Sequence, residues 1–125
     1  MVLSCLCQAE LTLGVDRYAK EYKRRGVAWH VVPIADMSAP SPEQDIALDR
    51  VFSTAEPLLA TGGRIAIHCL AGLGRTGTVA ARLAMKYGLT AAQAIAFIRA
   101  RHDSKAIETP EQETYLLTRD ALAYR

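Results

Sequence analysis

The sequence lacks an excess of charge of either sign. Its 15 Lys and Arg residues nearly balance its 13 Asp and Glu residues, for a formal net charge of +2. The strongly basic balance that is typical of proteins binding nucleic acid or anionic membranes is therefore absent.

Apolar runs are far shorter than the roughly 20 residues that a membrane-spanning helix needs. Residues 1–7 lack the basic start of a signal peptide and lead directly into Gln8 and Glu10. We expect a cytoplasmic protein that binds neither nucleic acid nor membranes.

Cysteine is also scarce. The three cysteines, Cys5, Cys7 and Cys69, are an odd number, which argues against a disulfide framework. No Cys-x-x-Cys pair stands near a His at the spacing of a zinc site, so we expect no bound metal. Cys69 alone lies among polar residues and glycines, which makes it the candidate for chemistry.

The length and composition indicate one globular domain over residues 1–125. The chain has a mass of 13.6 kDa, with 50% hydrophobic and 22% charged residues. At this size folding buries roughly two thirds of the unfolded surface, which suffices for one modest core without disulfide or metal staples.

Apolar runs and capping signals predict three strands and five helices. The strands are predicted over residues 2–7, 27–33 and 64–68, and the helices over residues 16–25, 42–60, 76–87, 90–101 and 109–124. Asp16 is the predicted cap of the first helix, and capping boxes open at Ser41, Thr90 and Thr109. Strands alternating with helices predict an α/β fold with a parallel or mixed central sheet flanked by helices.

Two polar segments follow predicted strands. Residues 34–41 form a proline-framed loop with a single acid, Asp36, and a glycine-rich loop follows His68. Ligands of such sheets bind beyond the carboxyl ends of the strands. We therefore expect the two loops to meet in space.

The glycine-rich loop, His68-Cys69-Leu70-Ala71-Gly72-Leu73-Gly74-Arg75-Thr76-Gly77, has the pattern of an oxyanion site. A loop between a strand and a helix points backbone N–H groups and the positive end of the helix at one small volume. Gly72 and Gly74 allow the backbone to approach an anion closely. The planar guanidinium of Arg75 can hold two phosphate oxygens at once.

Cys69 lies in the same cradle, where amides, helix dipole and Arg75 all favour a thiolate. Comparable settings lower the pKa of a cysteine from about 8.5 to roughly 3.5–7.5. Cys69 is then a nucleophile at neutral pH without a general base. The alternative interpretation is a buried structural cysteine beside a turn.

The loop resembles the H-C-x-x-G-x-G-R-[ST]-G signature of Cys-based protein tyrosine and dual-specificity phosphatases. The likeness is greatest to the kinase-associated-phosphatase-like subgroup and extends to three further segments. These are Pro33-Ile34-Ala35-Asp36 with Pro40, Cys7 with Glu10-Leu11, and Ala106-Ile107 with Gln112 and Tyr115-Leu116. The resemblance implies a phosphatase fold shortened at its N-terminus, which leaves a sheet edge uncovered and favours a homodimer.

The resemblance also implies a mechanism without cofactor or metal. Cys69 attacks phosphorus, Asp36 is the general acid, and Thr76 bonds to the departing sulfur. Substrate-binding positions are Leu70, Ala71, Gly72, Leu73, Gly74 and Arg75, and His68 orients the loop. The implied substrates are phosphorylated proteins or peptides, and phosphate, vanadate or sulfate should occupy the loop.

Several assignments have alternatives. Asp103 is the reserve candidate for the general acid, whereas His30 and His102 lack neighbours that suggest chemistry. Many family members carry, where this chain has Glu108, a glutamine that helps to position the hydrolytic water. Gln112 matches a second family glutamine and is a candidate catalytic residue, but a capping box also explains it.

Cys7 is either a small buried hydrophobe or the partner of Cys69 in a reversible protective disulfide. The alternative functions are a phosphate-binding module with weak turnover, a sulfurtransferase or arsenate reductase, and an RNA 5′-phosphatase of the same superfamily.

Overall fold

The computed structural model describes the backbone of residues 1–123 and the side chains of residues 1–120. Its sheet has three strands, β1 (Val2–Ser4), β2 (Trp29–Val31) and β3 (Ala66–His68), in the order β2-β1-β3. β1 is parallel to both neighbours. The predicted α/β fold with a parallel sheet is confirmed.

β1 is shorter than predicted. It ends at Ser4 rather than Cys7, because the chain turns into a single 3-10 turn, Gln8–Glu10, capped by Cys7. The Cys7 amide donates to the Glu10 carboxylate at 3.0 Å, which stabilises this turn. Cys7 therefore lies beyond the sheet.

Five helices follow the predicted order: α1 (Val15–Arg24), α2 (Pro42–Ala60), α3 (Gly74–Lys86), α4 (Ala91–Arg101) and α5 (Pro110–Ala123). All three capping boxes form, at Ser41, Thr90 and Thr109. The predicted Asp16 cap is wrong. Gly14, at φ +86°, occupies the cap position. Asp16 lies in the first turn, where its negative charge interacts favourably with the positive end of the helix dipole. α3 begins at Gly74, two residues before the prediction, and the predicted end of α5 at Tyr124 lies outside the described residues.

The core consists of two apolar clusters on either side of α3. One cluster packs the sheet against α2 and includes Leu3, Ile34 and Phe52. The other packs α3 against α4 and α5 around Ile107 and Leu116. α3 is thereby held on both sides, which fixes the position of the loop that precedes it.

No helix within residues 1–123 is long and apolar enough to cross a membrane.

Candidate active site

The candidate site lies where the strands end. β3 stops at His68, Cys69 follows directly and is only 8% exposed, and the loop reaches α3 at Gly74. The chain continues from β2 into the loop that carries Asp36. The predicted meeting of the two loops occurs, since Asp36 Oδ1 lies 3.5 Å from Arg75 Nη2.

The sulfur of Cys69 is surrounded by hydrogen-bond donors. The Thr76 hydroxyl donates to Sγ at 2.9 Å, and the amides of Thr76 and Gly72 also point at it. Burial alone raises the pKa of a thiol, but these three hydrogen bonds and the charge of Arg75 together lower the pKa of Cys69 below its ordinary value. The thiolate, not the thiol, is the nucleophilic form of a cysteine.

Arg75 is almost completely buried, at 2% exposure. Its Nη1 donates to Glu10 at 2.7 Å and to the Ile34 carbonyl at 2.9 Å, while Nη2 donates to Glu10 at 2.9 Å. A guanidinium has five N–H groups. Nε donates to no group in the described part of the chain, and Nη2 keeps a second hydrogen. These two adjacent donors form a planar fork of the kind that can bind two oxygens of an oxyanion.

Glu10 is a site residue that the chemical argument from sequence missed. Both oxygens of its carboxylate accept hydrogen bonds from Arg75, which is 65 positions away in the chain. The hydrogen bonds from Arg75, followed by that from the Cys7 amide, lower the pKa of Glu10 from 4.5 to about 2. Only the resemblance of the Glu10-Leu11 segment marked it, because no local pattern distinguishes a carboxylate that anchors an arginine.

Asp36 is at the rim of the site, with a side chain that is 65% exposed. Its Oδ1 accepts the amide of Met37 at 3.0 Å, and Met37 takes a left-handed conformation at φ +62°. Asp103, the reserve candidate, instead accepts the Lys105 amide in its own turn at 2.7 Å. The geometry favours Asp36 as the acid.

Gln112 is fully buried and supports the Asp36 loop. Its Nε2 donates to the Ser38 carbonyl at 3.1 Å, and its Oε1 accepts the amides of Glu108 at 2.9 Å and Thr109 at 3.2 Å. Backbone groups thus use both ends of the amide. A direct part for Gln112 in hydrolysis stays a prediction.

Glu108 lies against the loop rather than away from it. A Cβ atom at Gly74 would come within 2.6 Å of Glu108 Oε1 and 3.1 Å of Gln112 Nε2. A side chain at position 74 would have to displace the end of the exposed Glu108 side chain and would press on the buried Gln112 amide. The close approach also brings the Glu108 carboxylate next to the first turn of α3.

The remaining loop positions divide by exposure. Leu70 is 71% exposed and Ala71 is exposed, whereas Gly72 and Leu73 are half-buried. Gly72 has φ +76°, a conformation that strains any residue with a side chain. Apolar side chains at positions 70 and 73 thus flank a backbone cradle.

His68 is the end of a hydrogen-bonded chain across all three strands. Trp29 Nε1 donates to Ser4 Oγ at 2.8 Å, and Ser4 Oγ lies 2.5 Å from His68 Nε2. Ser4 Oγ thus joins the Trp29 indole to the His68 ring. This supports the predicted orienting role of His68.

Cys5, not Cys7, is placed beside Cys69. The register of β1 and β3 pairs Ser4 with His68, so the next residues, Cys5 and Cys69, are opposite each other. Burial, with the charge of Cys69 as a second cause, raises the pKa of Cys5 to about 12. β1 ends before Cys7, so the strand register does not place Cys7 beside Cys69, and a disulfide between these two residues stays a prediction.

His102 was assigned no role from sequence, yet it contacts the loop. Its Nε2 lies 2.6 Å from the Gly72 carbonyl oxygen. The sequence carries no signal for this contact, because the two residues are 30 positions apart and meet only through the packing of α4 on α3.

A family model described as a polymorphic toxin system DSP-PTPase phosphatase matches residues 4–89. The chain is similar to the tyrosine-protein phosphatase CDC14 of Candida albicans, with 32% identity over 86% of this chain and 19% of that protein. It is also similar to the human dual specificity protein phosphatase CDC14C, with 36% identity over 83% of this chain and 22% of that protein. The chain spans about a fifth of the length of these relatives.

Solved structures of the same architecture align over nearly the whole chain. Kinase associated phosphatase with its catalytic cysteine replaced by serine matches at a TM-score of 0.81 and 29% identity, over 99% of this chain and 70% of that one. The active form of Tk-PTP matches at a TM-score of 0.77 and 33% identity, over 95% of this chain and 76% of that one.

Proposed function

This chain belongs to the superfamily of Cys-based protein tyrosine and dual-specificity phosphatases, and we propose that it hydrolyses phosphomonoesters of proteins. The proposed substrates are phosphotyrosine and phosphoserine or phosphothreonine. The observation that carries the proposal is the arrangement around Cys69, whose sulfur accepts three hydrogen bonds beside the fork of Arg75.

In the proposed first step, the thiolate of Cys69 attacks phosphorus. The S–P bond forms as the P–O bond to the leaving group breaks, and Asp36 donates its proton to the leaving oxygen. The loop amides and the free fork of Arg75 hold the equatorial oxygens as charge develops. Arg75 needs no reorganisation, because Glu10 and the Ile34 carbonyl already fix its plane.

In the second step, water attacks the cysteinyl phosphate. The Asp36 carboxylate accepts a proton from the water, the S–P bond breaks, and inorganic phosphate leaves. The Thr76 hydroxyl stabilises the thiolate as it departs. Asp36 and Cys69 then return to their starting protonation states.

The rim favours aryl or apolar groups around the phosphate. Met37 on the acid loop and Leu70 on the glycine-rich loop are 51% and 71% exposed. Both can pack against the side chain or neighbours of a phosphorylated residue.

Phosphate, vanadate and sulfate are the proposed simple ligands of the cradle. The proposed location is a reducing compartment such as the cytoplasm, which keeps the Cys69 thiolate from being oxidised.

The test is hydrolysis of p-nitrophenyl phosphate. We expect turnover that chelators leave unchanged, that vanadate inhibits and that Cys69→Ser abolishes. Asp36→Asn should lower kcat by about 10²–10⁴-fold, the usual contribution of one acid–base group. Asp103→Asn is the matched control and should leave kcat unchanged. Turnover by the Cys69→Ser protein would refute the mechanism.

A second candidate is a phosphate-binding module with weak turnover. The carboxylate of Glu108 beside Gly74 favours it, because a negative charge near the cradle opposes an incoming phosphate. Pre-steady-state kinetics separate the two: one equivalent of p-nitrophenol without further turnover indicates the binding module. Glu108→Gln should then restore turnover.

A homodimer is also part of the proposal. β3 pairs only with β1 in the described part of the chain, so its outer edge offers unpaired backbone groups to a second copy. Sedimentation velocity over a range of concentrations tests it, and a monomer at every concentration would contradict it.

A further inference from the structure

His102 touches the candidate site from outside. It caps the C-terminal end of α4, where its own amide donates to the Ile98 carbonyl at 2.8 Å. Its side chain is exposed, and its Nε2 lies 2.6 Å from the carbonyl oxygen of Gly72. A carbonyl oxygen only accepts, so Nε2 carries the hydrogen and donates.

The next carbonyl of the loop is held by the same segment of chain. Leu73 O accepts the amide of Ile107 at 3.2 Å, as well as the amide of Gly77 at 2.9 Å. His102 and Ile107 thus bind two consecutive peptide groups of the loop.

This segment is itself firmly anchored. Arg99 donates from Nε to the Ala106 carbonyl and from Nη2 to the Ile107 carbonyl, each at 2.9 Å. Ile107 is buried and has φ +63°, a conformation that a β-branched residue adopts only when its surroundings enforce it. A segment fixed in this way can impose an orientation on the loop.

Gly72 is the position where an imposed orientation matters. In a trans peptide the carbonyl and the following N–H point in opposite directions. With the Gly72 carbonyl directed outward to His102, the Leu73 N–H is directed to the concave side, where the Gly72 amide already meets Cys69 Sγ. Glycine has the freedom to rotate this peptide at little cost, so the orientation needs an external partner.

We propose that His102 is a positioning residue that holds the Gly72–Leu73 peptide with its N–H directed at the bound oxyanion. The proposal rests on the proposed function, since it concerns the same cradle.

The experiment compares His102→Ala and His102→Gln, with Lys105→Gln as a control at an exposed residue of the same segment. Each change is made in the Cys69→Ser protein, where calorimetry measures tungstate affinity, and in the unsubstituted background, where kcat/KM for p-nitrophenyl phosphate is measured. The Leu73 amide is followed by NMR on tungstate addition.

Loss of one orienting hydrogen bond should weaken tungstate binding and lower kcat/KM by about tenfold each in His102→Ala. Gln keeps an N–H donor at similar reach, so His102→Gln should recover most of both, and Lys105→Gln should match the parent. The tungstate-induced shift of the Leu73 amide proton should shrink in His102→Ala and return in His102→Gln.

Parent-like tungstate affinity in His102→Ala overturns the inference, as does a His102→Gln protein that is as impaired as His102→Ala. If the parent binds tungstate with His102 dependence but does not turn over, the proposed function fails and the positioning role stands. If it turns over and His102→Ala is unaffected, only the positioning role fails. If the Cys69→Ser protein binds no tungstate, the kcat/KM comparison decides alone: a loss of about tenfold in His102→Ala that His102→Gln recovers supports the inference, and an unchanged value overturns it.

Discussion

The ionisation of the Cys69 thiol depends on a few hydrogen-bond donors and the charge of Arg75, which act against the cost of burying a thiolate. Burial acts to raise the pKa, whereas the Thr76 hydroxyl, two backbone amides and Arg75 lower it, and the lowering contributions win. The backbone donors cannot be removed by substitution. Thr76 is therefore the residue at which the balance can be tested.

Thr76→Val removes the hydroxyl that donates to Sγ at 2.9 Å while keeping the side-chain shape. The pKa of Cys69 should rise, because the thiolate loses a hydrogen bond. The acidic limb of the kcat/KM profile and the thiolate absorbance near 240 nm should both move to higher pH, by about one unit. Thr54→Val, which removes an exposed hydroxyl bonded to its own helix, should leave both curves in place.

Cys5 is the residue that the strand register sets opposite Cys69. Peroxide should oxidise the Cys69 thiolate to a sulfenic acid, and the Cys5 thiol should then condense with it, releasing water and forming a disulfide. Intact-mass spectrometry after mild peroxide should show the loss of two hydrogens. We expect that loss in Cys7→Ser but not in Cys5→Ser, and the reverse pattern would restore Cys7 as the partner.

Among the elements, a charged cluster around Asp45 joins α2 to α3 and α5. The buried Asp45 carboxylate accepts from Arg82 at 3.2 Å, from Arg119 at 2.8 Å and from the Tyr115 hydroxyl. The burial of Tyr115, with its hydrogen bond to Asp45 as the second cause, raises the pKa of its phenol. The contacts of this cluster join helices to one another and none of them reaches Cys69 in the described part of the chain, so we assign the cluster a structural role.

Asp45→Ala should destabilise the fold by about 3 kcal/mol, because it leaves the buried charge of Arg82 without its main partner. Urea unfolding at pH 7 measures the change. Asp49→Ala is the control, since Asp49 also bonds to Arg82 but is 41% exposed, and it should cost about 1 kcal/mol or less. Equal losses for the two variants would show that burial does not set the strength of this cluster.

At the scale of the whole molecule, Arg75 gathers distant parts of the chain. Its guanidinium donates hydrogen bonds to Glu10, which follows β1, and to the Ile34 carbonyl, which follows β2. It also lies 3.5 Å from the Asp36 carboxylate. The pKa of Arg75 is raised by its hydrogen bonds with Glu10, despite an opposing contribution from burial. The ion pair of Arg75 with Glu10 therefore positions the guanidinium in the candidate site and also links distant segments of the fold.

Acid should weaken the fold through Glu10. Its pKa is lowered from 4.5 to about 2 in the folded protein, so its stabilisation is complete above the unfolded value and is lost as the pH falls from about 4.5 toward 2. Between pH 6 and 3, the unfolding free energy should drop by about 1–2 kcal/mol more in the parent than in Glu10→Gln. Glu21→Gln, which removes a solvent-exposed ion pair on α1, should follow the parent.

The local parts of this protein could be predicted from sequence. The capping boxes at Ser41, Thr90 and Thr109 form as expected, because each depends on hydrogen bonds within four residues. The extent of β1 could not be predicted. Residues 2–7 are all apolar or small, so no breaker marks the end of the strand at Ser4, and the Glu10 carboxylate that stabilises the following turn is also held by Arg75, far away in the chain.

The sequence alone determined the chemistry at residues 68–77, since nucleophile, glycines, arginine and helix start are consecutive and act through their own backbone. Tertiary structure decided what holds that loop. Glu10, Gln112, His102 and Cys5 reach it from separate positions in the chain, and each is an ordinary residue in its local sequence. Only the packing of β1, α4 and α5 around α3 brings these side chains within hydrogen-bonding or van der Waals distance of the loop.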